Sequence, residues 1–175
     1  MCSSDLTDRT LSVTITDASG VPTSGSLQPR IYYKKNSGSW FSSQGVLSSG
    51  SGTSGTWTFT VKVADLGGVT SGDVISYYVI AQDAAGTPNI SSSPSAGLVA
   101  TDVNTVTTPP TTPNTYNIVP GLSGSYSVGT GQTYTTLTGA GGFFAFVNSA
   151  VVIGNITVNI TSDLTETGTN ALNQW

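Results

Sequence analysis

The chain has 175 residues, of which only 8% are charged, with a net charge of -4 and no histidine. An average soluble domain carries about 25% charged residues. The five basic residues, Arg9, Arg30, Lys34, Lys35 and Lys62, make no run longer than a pair, so the basic footprint of a nucleic-acid binder is missing.

Further exclusions follow from what is scarce. Without histidine the commonest general base and transition-metal ligand are gone, and a lone cysteine, Cys2, forms neither a disulfide framework nor a thiolate metal site. No apolar run approaches the roughly 18 residues that span a bilayer, so no membrane insertion is expected within this chain. Residues 1–6 (MCSSDL) resemble the translated end of a sequencing adapter, with a GTG codon read as the initiating Met. They are expected to be an artefact, the other reading being an ordinary loose N-terminus. On the artefact reading the chain proper contains neither Cys nor Met and begins upstream, so the lack of a visible secretory signal says nothing about localisation.

Thr, Val, Tyr and Gly are abundant, which favours strands and turns. From Thr7, Leu11, Val13 and Ile15 alternate with Ser12, Thr14 and Thr16, the pattern of a half-buried strand. The run DASGVP (17–22) ends it. Residues 29–35 place Ile31 and Tyr33 on one face, with Arg30, Tyr32 and Lys34 on the other, and NSGS (36–39) turns the chain into Trp40-Phe41, which predicts a hairpin. The stretch SSGSGTSG (48–55) reads as a low-complexity loop. TWTFTVKV (56–63) then shows the strictest alternation, with Trp57, Phe59, Val61 and Val63 inward, as in an antiparallel sheet with one wet face. GDVISYYVIAQDAAG (72–86) is the expected central strand, with Ile75, Tyr77, Val79 and Ala81 on the core face, and a weak last strand is expected near Leu98 and Val99.

The runs PRIYYKK, TWTFTV and GDVISYYVIAQDAAG resemble immunoglobulin-like or fibronectin type III-like modules strung along large exported bacterial proteins. The resemblance covers residues 7–103 and implies an all-β fold, an immunoglobulin-like antiparallel β-sandwich over residues 7–105. Two departures leave the subfamily open: Ile75 stands where the fibronectin pattern has a tyrosine, and the early strand lacks that family's core tryptophan. VTTPPTTPNT (106–115) is expected to be a Thr/Pro linker, because its prolines favour an extended spacer that cannot join a ladder.

Residues 116–175 change character. LTGAGGFFAFVNSA (137–150) has Ala140, Phe143, Phe144 and Val147 at helical spacing, and ITVNITSDL (156–164) returns to period two with Ile156, Val158 and Ile160 inward. Tyr134, Thr136, Leu137 and Ala140 fit the Tyr-x-Thr-Leu-x-x-Ala run found at the entry of a right-handed parallel β-helix of the pectin lyase-like kind. That resemblance implies a short capping helix and the first coil of a solenoid. Since a solenoid needs about three repeats to bury a continuous core, the unit is expected to be truncated.

The acidic residues are the remaining source of chemistry. Asp17 and Asp83 each open an Asp-Ala-x-Gly-x-Pro turn (DASGVP, DAAGTP) and offer oxygen to a Ca²⁺ ion, but two carboxylates are few, and each more simply caps its own turn. Glu166 and Asp163 lie three apart, yet residues 116–175 contain no basic residue to complete a lyase or hydrolase set. Tyr32, Trp40, Phe41 and Tyr78 fall on the outer face, where they would either stack on sugars or pack under a loop. Asn89, Asn155 and Asn159 each begin an Asn-x-Ser/Thr glycosylation pattern, which so Ser- and Thr-rich a chain produces by chance.

These features lead to the expectation of a non-catalytic structural or adhesion module of a secreted or cell-surface protein. No catalytic, cofactor or metal residue is assigned; the partner expected is a surface polysaccharide or other extracellular ligand. The alternative is a carbohydrate-binding accessory domain of a β-helix polysaccharide-degrading enzyme.

Overall fold

The structure, a computed structural model, describes residues 2–3 and 7–173. In chain order the elements are β1 (Cys2–Ser3), β2 (Arg9–Thr16), β3 (Arg30–Lys35), β4 (Phe41–Gln44), β5 (Val46–Gly50), β6 (Ser54–Val61), β7 (Val74–Gln82), β8 (Ile90–Ser93), β9 (Val99–Asp102), β10 (Thr105–Thr108), β11 (Asn114–Ile118), β12 (Gly121–Val128), α1 (Phe143–Asn148) and β13 (Val151–Ile160). The protein is all-β, with one short helix among the described residues. It divides into two compact units, residues 7–116 and residues 117–173 with 2–3, and the boundary falls inside β11. Of the six residues read as an artefact, the backbone of Cys2 and Ser3 pairs parallel with Asn117 and Ile118; the others lie outside the described residues.

In the first unit a three-stranded sheet runs β2-β6-β5. A second sheet runs β11-β7-β3-β4, with β8 also paired to β7. The ladders β2–β6, β5–β6, β3–β4, β3–β7 and β7–β8 are antiparallel. Register follows the alternation seen in the sequence: Leu11 opposes Phe59 and Val13 opposes Trp57 on one face, while Thr14 opposes Thr56 and Ser12 opposes Thr58 on the other. Such apolar cross-strand pairs stabilise a sheet by about 0.2–1 kcal/mol each. A one-residue slip would turn the whole apolar set to water. Trp57 and Phe59 on the central strand are fully buried, as are Ile31, Tyr33 and Ile75 on the facing sheet. On β2, an edge strand, the inward residues Leu11, Val13 and Ile15 are only half-buried.

Three expectations need correction here. The stretch 48–55 is not a loop: β5 and β6 form a hairpin through it, with Ser49 opposite Thr56 and Gly50 opposite Gly55. Its glycines permit the close approach, since Gly50 has φ +84° and a Cβ there would sit 2.3 Å from the Ser54 carbonyl oxygen. The tip then joins the 17–21 turn through Val21 N–H to Gly52 O at 2.9 Å and Asp17 N–H to Thr53 O at 3.1 Å.

Secondly, β7 is not buried on its expected core face alone: Tyr77 and Ala81 on that face are half-buried, while part of the outer face is covered. Tyr78 and Ile80 are buried there along with Val103, because β9, β10 and the turn between them fold over that face. Thirdly, the Thr/Pro stretch 106–115 is not wholly unpaired: Val106 and Thr108 pair with β9, and Asn114 opens β11. The prolines at 109, 110 and 113, which lack an N–H, stay outside the strands.

In the second unit β12 and β13 run parallel, from Gly121 opposite Val151 to Val128 opposite Ile160. Parallel neighbours need a long crossover, and residues 129–150 supply it with α1 inside. The helix follows an extended Gly142, and its first N–H groups are satisfied by earlier carbonyls, Phe143 N–H to Thr136 O at 3.0 Å and Phe144 N–H to Leu137 O at 2.9 Å. Phe143, Val147 and Ala150 pack with Leu122 and Val128, and Tyr126, Tyr134 and Phe146 close the cluster at ring separations of 5.1 to 5.9 Å.

Ala140, expected inside the helix, lies exposed in the turn before it. Ile156 and Val158 face the core as expected, whereas Ile160 is 51% exposed. A helix of six residues is about 9 Å long and covers roughly three strand residues. The end of β13 runs past it.

Candidate functional site

The outer face of the β11-β7-β3-β4 sheet brings together three of the four aromatics expected there. Tyr32 and Tyr78, directly opposite in the β3–β7 register, stack at 5.2 Å with rings 3° from parallel, and Trp40 meets Tyr78 edge-on at 5.0 Å. The Lys34 ammonium lies over the Trp40 ring at 5.0 Å, a cation–π contact. The cluster is fully covered at Tyr78 and half-buried at Tyr32 and Trp40. Tyr78 is 1% exposed, and the Tyr32 hydroxyl donates to the Val103 carbonyl at 3.0 Å. The Gln82 side-chain oxygen accepts the Val103 N–H at 3.0 Å, which pins the turn between β9 and β10 from beneath. Burial raises the Tyr78 and Tyr32 hydroxyls above their ordinary range. Phe41, the fourth aromatic, is 39% exposed at the head of β4 and lacks these partners.

The carboxylates act on nearby backbone and side chains. Asp17 accepts the Ser19 N–H at 2.8 Å. Asp83 accepts from Ala85 N–H, Asn89 N–H and the Asn89 amide at 2.7 to 3.2 Å, and these donors, the Asn89 side chain first, hold its carboxyl below the usual range. The two turns meet through Ala84 N–H to Gly20 O at 2.8 Å. They lie at one end of the unit, as the Ca²⁺ reading requires, yet Asp83 is filled by protein donors on both oxygens. Tyr33, fully buried, donates to Asp65 at 2.5 Å, and burial with that bond pushes its hydroxyl up to about 12.

Glu166 and Asp163 do not converge on a common point of chemistry. Glu166 accepts Leu137 N–H at 2.7 Å, Thr138 N–H at 2.6 Å and the Thr138 hydroxyl, which together hold its carboxyl low. It clamps the loop before α1, whereas Asp163 is exposed. No group of three His, Cys, Asp or Glu side chains suited to a metal occurs among the described residues. Asn89 spends its amide on Asp83, while Asn155 and Asn159 are exposed on β13. Among the described residues no helix is long and apolar enough to cross a membrane.

Sequence reasoning passed over one feature. A groove of about 460 Å³ opens at the side of the first unit where the chain leaves β4 for β5, lined by Gln28, Arg30, Ser42, Gln44, Thr60 and Lys62. Gly45 lets the chain turn there, because a Cβ would lie 2.5 Å from the Phe59 ring. The only sequence signal was the outward parity of Arg30 and Lys62, which lie 32 positions apart on different runs. No protein-family model matches the chain, and no curated protein or solved structure matches it.

Proposed function

We propose that the protein is a non-catalytic structural or adhesion module of a secreted or cell-surface multidomain protein. In this reading the first unit is an immunoglobulin-like β-sandwich and the second is the first coil of a parallel β-helix. The observation that carries it is the use of the carboxylates. Asp8, Asp17, Asp65, Asp73, Asp83, Asp102 and Glu166 all accept hydrogen bonds that fasten turns and loops. Side chains that elsewhere do acid–base work here hold backbone and, at Asp65, a tyrosine hydroxyl.

Supporting features are mechanical. Both faces of β7 are buried, and long antiparallel ladders join β2 to β6 and β3 to β7. The β-helix reading rests on the parallel β12–β13 pair with its helical crossover. An open apolar groove of about 250 Å³, lined by Phe143, Val147, Val152, Ile156 and Val158 among others, is the kind of surface that a further coil covers. The test is force spectroscopy of the full chain inserted in a polyprotein beside a helical-bundle domain. The first unit is expected to unfold in one step at the higher force; unfolding at or below the helical domain's force overturns the spacer reading.

A further inference from the structure

We infer that the groove beside β4 is a binding site for an acidic, hydroxyl-rich glycan, with the carboxylate of a uronic acid residue held between Arg30 and Lys62. The inference rests on the adhesion reading above and names its ligand class.

Charge is the first argument. Both cations line the groove, no acidic residue does, and among the described residues neither cation is ion-paired. The Arg30 guanidinium is held in place by neutral partners, donating to the Asn104 side-chain oxygen at 2.7 Å and to the Ser42 hydroxyl at 3.3 Å. Asp102, the last residue of β9, accepts the Asn104 N–H at 2.6 Å and the Thr105 hydroxyl at 3.3 Å. A guanidinium steered by neutral groups keeps its full charge for an outside anion, and in a chain with a net charge of -4 such a site is a local exception.

The second argument is hydrogen-bond complementarity. The Gln28 amide donates to the Thr23 carbonyl at 2.8 Å, and the Gln44 amide donates to the Gly25 carbonyl. With the NH₂ ends committed, each glutamine keeps an oxygen as acceptor. Those acceptors call for donors, which sugar hydroxyls supply and a bare inorganic anion does not. Val46, which is exposed, is the one hydrophobic side chain among the lining residues, the rest being polar, charged or glycine. The groove therefore suits a hydroxylated chain better than an apolar peptide.

The site is tested by titrating the full ¹⁵N-labelled chain with a defined oligomannuronate at low ionic strength, with its methyl ester as the neutral control. Amide shifts are expected at Arg30, Ser42, Gln44, Thr60 and Lys62, weakening as salt is raised. Lys62→Gln, on an exposed side chain with an unchanged unfolding midpoint, is expected to weaken binding about fivefold, the scale of one exposed charge contact. No shifts at these residues, or equal shifts with the ester, overturn the site. Equal or larger shifts with an acidic peptide overturn the glycan assignment. Neither negative result touches the unfolding force, so the spacer reading fails or stands separately.

Discussion

The buried outer face of β7 is tested by Ile80→Ala. Alternation with one wet face would leave Ile80 in water, where truncation changes stability by no more than about 0.5 kcal/mol. In the structure Ile80 is 0% exposed and packs with Tyr78 and Val103. Removing three carbons at about 0.8 kcal/mol each loses about 2.4 kcal/mol of transfer free energy. The cavity left under Val103 lifts the cost into the range of about 2–5 kcal/mol. That is a large share of the roughly 5–15 kcal/mol of a whole domain. The assay is equilibrium urea unfolding followed by Trp fluorescence, with Ile75→Ala on the opposite face, also 0% exposed, as the reference. The two variants should lose similar stability with unchanged m-values. An Ile80→Ala midpoint within error of the parent, beside a clear loss for Ile75→Ala, would refute the covered face.

The remaining predictions address other parts of the molecule. Gly50→Ala places a Cβ 2.3 Å from the Ser54 carbonyl oxygen at φ +84°, so the first unit should lose more than about 1 kcal/mol in the same urea assay; a neutral result would mean the hairpin turn is not as described. Because the Glu166 carboxyl is held below its ordinary value, its clamp contributes stability above about pH 4.3 and loses it as pH falls through the folded value. Near-UV circular dichroism should show the second unit loosening in that window, and Glu166→Gln should remove the pH dependence. The Tyr33 hydroxyl is raised to about 12, so its contribution is whole below about pH 10 and is lost as pH climbs to about 12. Tyr33→Phe should make the alkaline limb of the stability curve shallower, with the raised hydroxyls of Tyr32 and Tyr78 still contributing. In hydrogen exchange, the 156–160 amides on the one-sided β13 ladder should be less protected than Val79; equal protection in a monomer would sink the first-coil reading.

Strands whose two faces differ in polarity were legible in the sequence. Leu11, Val13 and Ile15, Ile31 and Tyr33, and Trp57, Phe59 and Val61 announce their inward sides by a period of two, and the register of β2 on β6 keeps them together. The outward parity of Tyr32 and Tyr78 was legible as well, but the β3–β7 register is what makes them meet. Alternation reports which face is apolar; it is silent about what covers the other. The segment around β9 and β10 that covers Tyr78 carries scattered apolar residues, Leu98, Ala100, Val103 and Val106, too weak a pattern to mark a cover.

Tertiary structure alone decided the features that join distant segments. Ser and Gly in 48–55 read as loop because strand propensity is low, and only the approach of Gly50 to Gly55 makes them a hairpin. Glu166 became a clamp because the chain after β13 returns to Leu137 and Thr138. Arg30 and Lys62 lie on different strands with nothing local to link them, and the turn at Gly45 sets their side chains on one groove. Local pattern encodes the alternation of each strand, whereas a site exists only once separate strands are packed and their loops closed.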